Sequence, residues 1–266
     1  MSSSIKSSVL LFKGRSENDK YLKEAVKCGM EAFFTPIFQY KLLNISTVIE
    51  SFLRPSDSMP TAIVLTSPRA VDALVTAISL SVENKDQSKS LPHIITSRGI
   101  AIYCLGSSST EKILQHFSPF VPNIRGTHTT SAAELATFIL NDSDDSKPTN
   151  LLYLCGKSRR DELPNALSSR CIALHELTVY TADVIANLKL TRSPPNWVVF
   201  FSPRGVDAVV AFLTKQGAVL GWFGSTKVAA IGATTRDRLL SYNLHVSATA
   251  LKPNPFFLFE AVRESR

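Results

Sequence analysis

Short apolar runs alternate with amphipathic segments along the whole chain, and this alternation restricts the folds that the chain can adopt. Ten runs are rich in Val, Ile, Leu and Phe, and segments with apolar residues at i, i+3 and i+4 lie between them. Runs that are apolar on both faces suit strands buried in a parallel sheet whose two faces are covered by helices. The alternation therefore predicts a doubly wound α/β fold. The predicted strands are SSVLLF, AFFTPIF, TAIVLT, IAIYCL, VPNI, NLLYLC, IALHELTVY, WVVFF, KVAAI and LHVSAT.

Two short motifs occur twice, each where a predicted strand leads into a predicted helix. The Ser-Pro-Arg of residues 67–69 recurs at 202–204, an offset of 135, and the glycine turn at 106–109 recurs at 232–235, an offset of 126. In each case small hydroxyl residues and Pro or Gly separate the strand from the helix. Internal duplication of a unit of five strands explains both repeats.

Length and composition exclude several classes of protein. A chain of 266 residues with 44% apolar residues can form two domains with sizeable cores. No apolar run is longer than six residues, which is far shorter than a membrane span, so no membrane partner is expected. The four cysteines show no CxxC spacing, which indicates reduced thiols and a cytoplasmic protein.

The net charge of +7 is concentrated in the second half of the chain. Residues 1–150 hold 15 basic and 14 acidic residues, giving +1, whereas residues 151–266 hold 14 and 8, giving +6. A basic half favours a polyanionic partner. No nucleic acid is expected, because the chain has neither a long Lys/Arg run nor a basic stripe interleaved with aromatic residues.

The repeated turns are candidate anion-binding sites. Ligands of open parallel sheets bind outside the carboxyl ends of the strands, where these turns lie. Ser67 and Ser202 each precede a proline, which is typical of a helix N-cap, and the two glycine turns open helices whose free N–H groups attract carboxylates or phosphates. The alternative is that each turn only caps its own helix. Four such turns in equivalent places favour an elongated ligand with many acidic groups.

Motifs for other chemistries are incomplete. The Gly156-Lys157-Ser158 stretch has the end of a phosphate-binding loop, but Leu151 stands where that loop needs its first glycine. The sequence contains no GxGxxG after a strand, no HExxH and no GxSxG. These absences leave a binding protein or an enzyme that uses no cofactor.

The chain resembles the uroporphyrinogen-III synthase family over nearly its whole length. The segments that carry the resemblance are IVLTSPRAVDA (63–73), LCGKSRRDELP (154–164), LTVYT (177–181), FFSPRG (200–205), AAIGATT (229–235) and ALKPNP (250–255). The resemblance implies two flavodoxin-like lobes with a cleft between them, joined by a two-stranded linker. The implied boundaries are 1–37 plus 183–266 for lobe one, 43–175 for lobe two, and 38–42 and 176–182 for the connecting strands.

The resemblance also implies a reaction. Members of the family convert hydroxymethylbilane, a linear tetrapyrrole rich in carboxylates, into uroporphyrinogen III, with loss of water and inversion of the terminal ring. They use no metal or organic cofactor. We accordingly expect a monomer that takes a small-molecule substrate, with transient hand-over from the enzyme that forms the bilane.

The candidate site residues come from matching the family's motifs to this chain. Tyr180 corresponds to the family's tyrosine in the Thr-Val-Tyr context and is the candidate for assisting departure of the hydroxyl; its alternative role is packing in the connecting strand. At position 109 the family more often has Thr, in a Gly-x-x-Thr-Ala pattern, whereas this chain has Ser109-Thr110; the hydroxyl is kept. The candidate substrate-binding residues are Lys13, Ser67, Ser109, Gly156, Arg160, Ser202, Lys227, Thr234 and Thr235.

One competing interpretation is a non-catalytic binder. Two α/β lobes around a hinge are also the architecture of sugar- and amino-acid-binding proteins, and a basic cleft could hold a nucleotide or a sugar phosphate. Substrate turnover distinguishes the two interpretations.

Overall fold

A computed structural model describes residues 7–83, 86–117, 119–142, 149–159, 161–168, 172–191 and 193–265. Its strands are β1 (Ser7–Leu11), β2 (Met30–Phe34), β3 (Phe38–Leu42), β4 (Ala62–Leu65), β5 (Ala101–Cys104), β6 (Asn123–Arg125), β7 (Asn150–Gly156), β8 (Ala173–Val184), β9 (Trp197–Phe200), β10 (Lys227–Ala230) and β11 (Ala248–Thr249). Its α-helices are α1 (Lys20–Lys27), α2 (Ile45–Ser51), α3 (Pro68–Val82), α4 (Leu91–Ser97), α5 (Ser107–Leu114), α6 (Ala132–Asn141), α7 (Glu162–Ser168), α8 (Pro203–Lys215), α9 (Val219–Phe223), α10 (Ala233–Leu240) and α11 (Pro255–Glu264).

The chain divides into two compact units. The first unit consists of residues 1–39 and 183–266, and the second unit consists of residues 40–182. The segments expected to connect the lobes are strands β3 and β8, and each has its residues divided between the two units.

The first unit is built on a five-stranded sheet in the order β11-β10-β9-β1-β2, and all four strand pairs are parallel. Alternate residues of its strands belong to different hydrophobic clusters. Leu10, Val198 and Val228 pack with residues of α8 and α10, whereas Val9, Val199 and Ala229 pack with residues of α1 and α11. The sheet is therefore buried on both faces.

The second unit is built on a six-stranded sheet in the order β3-β8-β7-β4-β5-β6. Strands β4 to β8 pair in parallel. The edge strand β3 runs antiparallel to β8, because Leu43 N–H donates to the Val179 carbonyl while Ile185 N–H donates to the Ile37 carbonyl. Helices α2 to α5 contribute to the cluster on one face, and α6 and α7 to the cluster on the other.

The predicted α/β fold with parallel sheets is confirmed by this arrangement. Every residue of β4, β5 and β9 is buried, as expected for strands that are covered on both faces. Within the described part of the chain, no helix has both the length and the apolar character needed to cross a lipid bilayer.

One predicted strand is wrong. The run AFFTPIF was expected to form a single strand, but β2 ends at Phe34 and β3 begins at Phe38. Pro36 lies in the gap, and a proline cannot donate to a sheet ladder. Thr35 is buried there, and its hydroxyl donates to the Lys189 carbonyl at 2.8 Å. Helices α2, α4 and α9 were not predicted either; they are seven, seven and five residues long, so each has at most about two turns in which to show a helical period.

Candidate active site

In each unit the predicted turns follow the carboxyl ends of parallel strands. In the first sheet Leu11 pairs with Val199, and Phe200 pairs with Ala230, so β1, β9 and β10 end at the same edge. In the second sheet Leu65 pairs with both Cys104 and Leu154. The loops that follow these strands therefore share one edge in each unit, which we call the carboxyl edge of that unit.

Ser67 and Ser202 are helix N-caps. The Ser67 hydroxyl accepts from Ala70 N–H at 3.1 Å, and the Ser202 hydroxyl accepts from Gly205 N–H at 3.1 Å. Each cap is followed by a proline in the first turn, where the missing N–H costs nothing. The two serines satisfy a helix donor that would otherwise need another acceptor.

The two glycine turns leave their helix N-termini without a side-chain cap. Gly106 precedes α5 and Gly232 precedes α10, and a glycine has no side chain with which to accept from the first helical N–H groups. Gly106 has φ of +75°, a conformation that residues with a Cβ rarely adopt. Both termini therefore offer free backbone donors, together with the positive end of a helix dipole, at the carboxyl edges.

The hydroxyl residues that follow these glycines differ in exposure. Thr234 is exposed, whereas Ser109 and Thr235 are buried, with 8% and 2% of their surface accessible. Burial raises the pKa of the Cys104 thiol to about 11, and a hydrogen bond with Ser109 acts in the opposite direction. Ser109 and Thr235 thus lie beneath the surface of their turns, and of these three hydroxyls only that of Thr234 is presented to solvent.

Lys13 follows β1 and forms an ion pair with Asp19, the N-cap of α1. The Asp19 carboxylate also accepts from the N–H groups of Ser16 and Tyr21, and its side chain is only 1% exposed. Burial alone would raise the pKa of Asp19, but hydrogen bonds from Lys13 and the backbone outweigh it and lower that pKa. The Lys13 ammonium also lies 5.0 Å from the centre of the Tyr21 ring. Its charge is therefore already partly neutralised within the first unit.

Gly156 and Tyr180 are in close contact at the carboxyl edge of the second unit. The pairing of β7 with β8 shifts by one residue here, so that Cys155 pairs with Thr178 but Gly156 pairs with Tyr180. The phenol lies directly over the glycine: a Cβ at position 156 would be 2.6 Å from Cζ of Tyr180 and 2.8 Å from its Oη. Only a residue without a side chain allows this position of the half-buried ring.

Tyr40 and Arg69 extend this contact on the other side of Tyr180. The ring centres of Tyr40 and Tyr180 lie 6.4 Å apart with an angle of 57° between the planes, and the guanidinium of Arg69 lies 4.3 Å from the centre of the Tyr40 ring. Asp72 binds Arg69 at 2.8 Å and also pairs with Lys112. Burial would raise the pKa of Asp72, but the hydrogen bonds from Lys112 and Arg69 lower it.

Two arginines, Arg159 and Arg160, follow Gly156 in the sequence. The structure describes Arg159, whereas Arg160 lies outside the described residues. Arg159 pairs with Glu176 and Asp161, and these carboxylates raise its pKa. The sequence analysis chose Arg160 as the substrate-binding arginine. The neighbouring Arg159 forms its ion pairs with carboxylates of the protein itself.

Lys227 is not brought together with the other candidate residues. It is the first residue of β10 and pairs with Trp197, the first residue of β9, so it lies at the amino ends of parallel strands. Its ammonium donates to the Ser265 carbonyl at 2.7 Å, and it lines a cavity of about 520 Å³ with Thr226 and His245. Lys227 therefore lies at the opposite end of β10 from the glycine turn, and its role in substrate binding stays a prediction.

Sequence reasoning missed Tyr40 altogether and did not place Arg69. Alternation in QYKL gives no reason to single out a tyrosine, and the contact with Arg69 depends on how β3 meets α3. Among the described residues, no cluster of His, Cys, Asp and Glu side chains could hold a metal ion.

Comparisons with known proteins agree with the resemblance seen in the sequence. The HEM4 family model, described as uroporphyrinogen-III synthase HemD, matches residues 19–260. A curated uroporphyrinogen-III synthase from Saccharomyces cerevisiae is 27% identical over 284 residues, covering 98% of each protein.

Two crystal structures support the fold. The chain is similar to a uroporphyrinogen-III synthetase from Helicobacter pylori, with a TM-score of 0.61 and 16% identity over 98% of this chain and 100% of the other. It is also similar to a mutant uroporphyrinogen III synthase from the extremely thermophilic bacterium Thermus thermophilus, with a TM-score of 0.51 and 12% identity over 97% and 98%. These structural matches show the fold, and the family model spans most of the sequence. The chain therefore belongs to the uroporphyrinogen-III synthase family.

Proposed function

We propose that this protein cyclises hydroxymethylbilane to uroporphyrinogen III, with loss of water and inversion of the terminal ring. The match of the family model to residues 19–260 carries the proposal, and the curated relative of similar length supports it. The activity makes the protein a lyase of heme and tetrapyrrole biosynthesis.

The substrate's acetate and propionate groups need hydrogen-bond donors at several positions. The uncapped N-termini of α5 and α10 supply backbone donors, and the exposed Thr234 hydroxyl adds a side-chain donor. We infer that these groups bind substrate carboxylates. Ser67 and Ser202 already accept from their own helices, but each hydroxyl proton is still free to be donated to a carboxylate.

Tyr180 is the proposed catalytic residue. A phenol is protonated at neutral pH, so it can donate to the hydroxyl of the bilane while the C–O bond breaks and water leaves. The electron-rich pyrrole supplies the electrons and becomes an azafulvene. The substituted carbon of the terminal ring then attacks to give a spiro intermediate, which rearranges. The proton released when the last pyrrole reforms restores the phenol. The position of the phenol beside Gly156 at the carboxyl edge supports this role.

We also infer that the two units descend from one duplicated unit. The strand order β6-β5-β4-β7-β8 matches β11-β10-β9-β1-β2 when β4 is equated with β9. With this equivalence, Ser67 matches Ser202 and Gly106 matches Gly232, as the sequence repeats require. The unit containing both chain termini would then be a circular permutation of the other.

The setting of the reaction is a further part of the proposal. Cys104 and Cys155 are buried thiols that form no disulfide, which supports a reducing compartment such as the cytoplasm. Because hydroxymethylbilane closes without inversion in water, direct hand-over from the enzyme that forms it would prevent loss to the wrong isomer. Sedimentation of the purified protein would test the expected monomer.

The direct test is to mix the purified protein with freshly made hydroxymethylbilane, oxidise the product and separate the isomers by chromatography. Type III in excess over protein-free and heat-denatured controls is the expected result. Type I alone, formed at the spontaneous rate by folded protein, would contradict the proposed activity and favour the non-catalytic binder.

Tyr180→Phe tests the catalytic residue. Losing one hydrogen bond worth about 1.4 kcal/mol in the transition state lowers kcat about tenfold. We expect that loss with an unchanged circular dichroism spectrum. An unchanged kcat would remove Tyr180 from the mechanism while leaving the activity of the protein established.

A further inference from the structure

We propose that Tyr40 and Arg69 are positioning residues that hold the Tyr180 ring in its catalytic orientation. The inference rests on the proposed role of Tyr180. It adds two side chains that neither the repeated turns nor the family motifs assign to the reaction.

Tyr180 needs support on the side away from Gly156. Gly156 limits movement of the phenol end in one direction, since the ring lies in contact with its backbone. The next strand on the other side of β8 is the edge strand β3. The hydrogen bonds that join the two strands place Tyr180 opposite Leu42 and Tyr40 opposite Ala182. Tyr40 and Tyr180 are thus a diagonal pair, a separation that aromatic side chains can bridge.

The Tyr40 ring is half exposed, with 50% of its surface accessible, so packing alone does not fix it. The guanidinium of Arg69 covers it, 4.3 Å from the ring centre, within the range of a cation–π contact. An exposed arginine would ordinarily sample many rotamers. Asp72 holds this one at 2.8 Å, and Asp72 is itself held by Lys112.

The result is a continuous series of contacts from Lys112 to the phenol. Asp72 fixes the guanidinium, the guanidinium fixes the Tyr40 ring, and the Tyr40 ring contacts Tyr180. Every contact in the series involves side chains of the second unit. A ring held in this way keeps its hydroxyl aligned with the reacting oxygen, and misplacement of a catalytic group by about 1 Å can lower a rate about a hundredfold.

The first unit provides a matched control. Arg204 occupies the equivalent place in the repeated Ser-Pro-Arg motif and lies 5.0 Å from the centre of the Phe38 ring, also on β3. Arg204→Ala therefore removes the same kind of contact from an aromatic ring of the first unit.

The experiment is a double-mutant cycle on the intact enzyme. We expect Tyr40→Ala to lower kcat about fivefold with KM changed less than about twofold, whereas Tyr40→Phe keeps the ring and stays within about twofold of the wild type. Arg69→Lys should behave like a weaker form of Tyr40→Ala, because an ammonium lacks the planar face. In a Tyr180→Phe background, Tyr40→Ala should cause no further loss of kcat.

A spectroscopic readout separates positioning from general stability. With ¹³C-labelled tyrosine, the signal missing in Tyr180→Phe identifies the Tyr180 ring. That signal should shift in Tyr40→Ala and Arg69→Ala and stay in place in Arg204→Ala.

The proposal would be overturned if Tyr40→Ala lowered kcat equally in the wild-type and Tyr180→Phe backgrounds, or if it changed KM alone. It would also be overturned if the Tyr180 signal did not shift in Tyr40→Ala, or if Tyr180→Phe kept full activity. Failure of the proposed function is a different result, because the wild-type protein itself would then form no excess of the type III isomer.

Discussion

The carboxyl edges of the two units share their backbone turns but differ in the side chains beside them. In both units a serine caps one helix and a glycine precedes a later one. In the first unit the strand next to the capped turn is β1, and Lys13, which follows it, is bound by Asp19. In the second unit the corresponding strand ends in Gly156, over which Tyr180 lies.

The backbone donors at the turns are a general product of the parallel sheet, whereas the surroundings of the phenol are specific to the second unit. Any strand that leads into a helix can present backbone donors, so the repeated turns suit general recognition of carboxylates. A phenol directed at one bond requires a specific neighbour on every side. We therefore expect substitutions at the shared turns to act similarly in the two units, and substitutions at the unshared residues to act differently.

Gly156→Ala should produce the largest effect. The new Cβ would lie 2.6 Å from Cζ of Tyr180, so the ring must move. We expect kcat to fall at least about tenfold. The control is Gly14→Ala beside Lys13 in the first unit, where a Cβ would meet nothing within 4 Å. Steady-state kinetics measure kcat of both variants, and equal values would contradict the distinction between the two carboxyl edges.

Lys13→Met should destabilise the first unit by about 2 kcal/mol, because it removes a charged partner from a buried carboxylate. The lowered pKa of Asp19 stabilises the fold above the ordinary carboxyl range, and this stability is lost as the pH falls through the lowered value. Without Lys13 the pKa of Asp19 rises, so acid unfolding should begin at a higher pH.

Urea unfolding between pH 3 and pH 7, a range that spans the ordinary carboxyl pKa of about 4, measures both effects. Lys27→Met is the matched control, because its pair with Glu24 is exposed and should contribute less than about 1 kcal/mol. A loss no greater than that of the control would show that Asp19 does not depend on Lys13.

Ser67→Ala and Ser202→Ala should each cost about 1 kcal/mol of unfolding free energy, since each removes one helix cap. The matching Ser→Thr variants keep the hydroxyl acceptor and should retain most of the unfolding free energy. Denaturant unfolding measures the free energy of unfolding of each variant. If the two Ser→Ala variants lost very different amounts of unfolding free energy, the two caps would be equivalent in sequence but would differ in how much they stabilise their helices.

Lys227→Ala should have the smallest effect, a change in KM of less than about twofold, or about 0.4 kcal/mol. The residue lies at the amino ends of the strands and donates to the Ser265 carbonyl. A large rise in KM would return Lys227 to the substrate site and contradict the distinction between the two sheet edges.

Part of the fold and part of the candidate site could be predicted from the sequence, and the difference has a physical reason. The WVVF strand was predictable because both of its faces are buried, and the caps were predictable because Ser-Pro has a local preference for a helix start. The end of the sheet at which Lys227 lies could also have been predicted, since the residue is the first of its strand. The contacts of Tyr40 with Arg69 and Tyr180 could not be predicted, because they join residues on three different elements.

The register shift between Cys155 and Gly156 has a consequence for how β8 tolerates change. One extra residue, Val179, lets two consecutive side chains contact the same core: Val179 is fully buried, and Tyr180 packs against the same cluster. Inward and outward positions therefore exchange their parity at this point. Deleting Val179 would restore a regular ladder, yet it would turn every later side chain of β8 to the opposite face, so a one-residue deletion here should be more damaging than any single substitution in the strand.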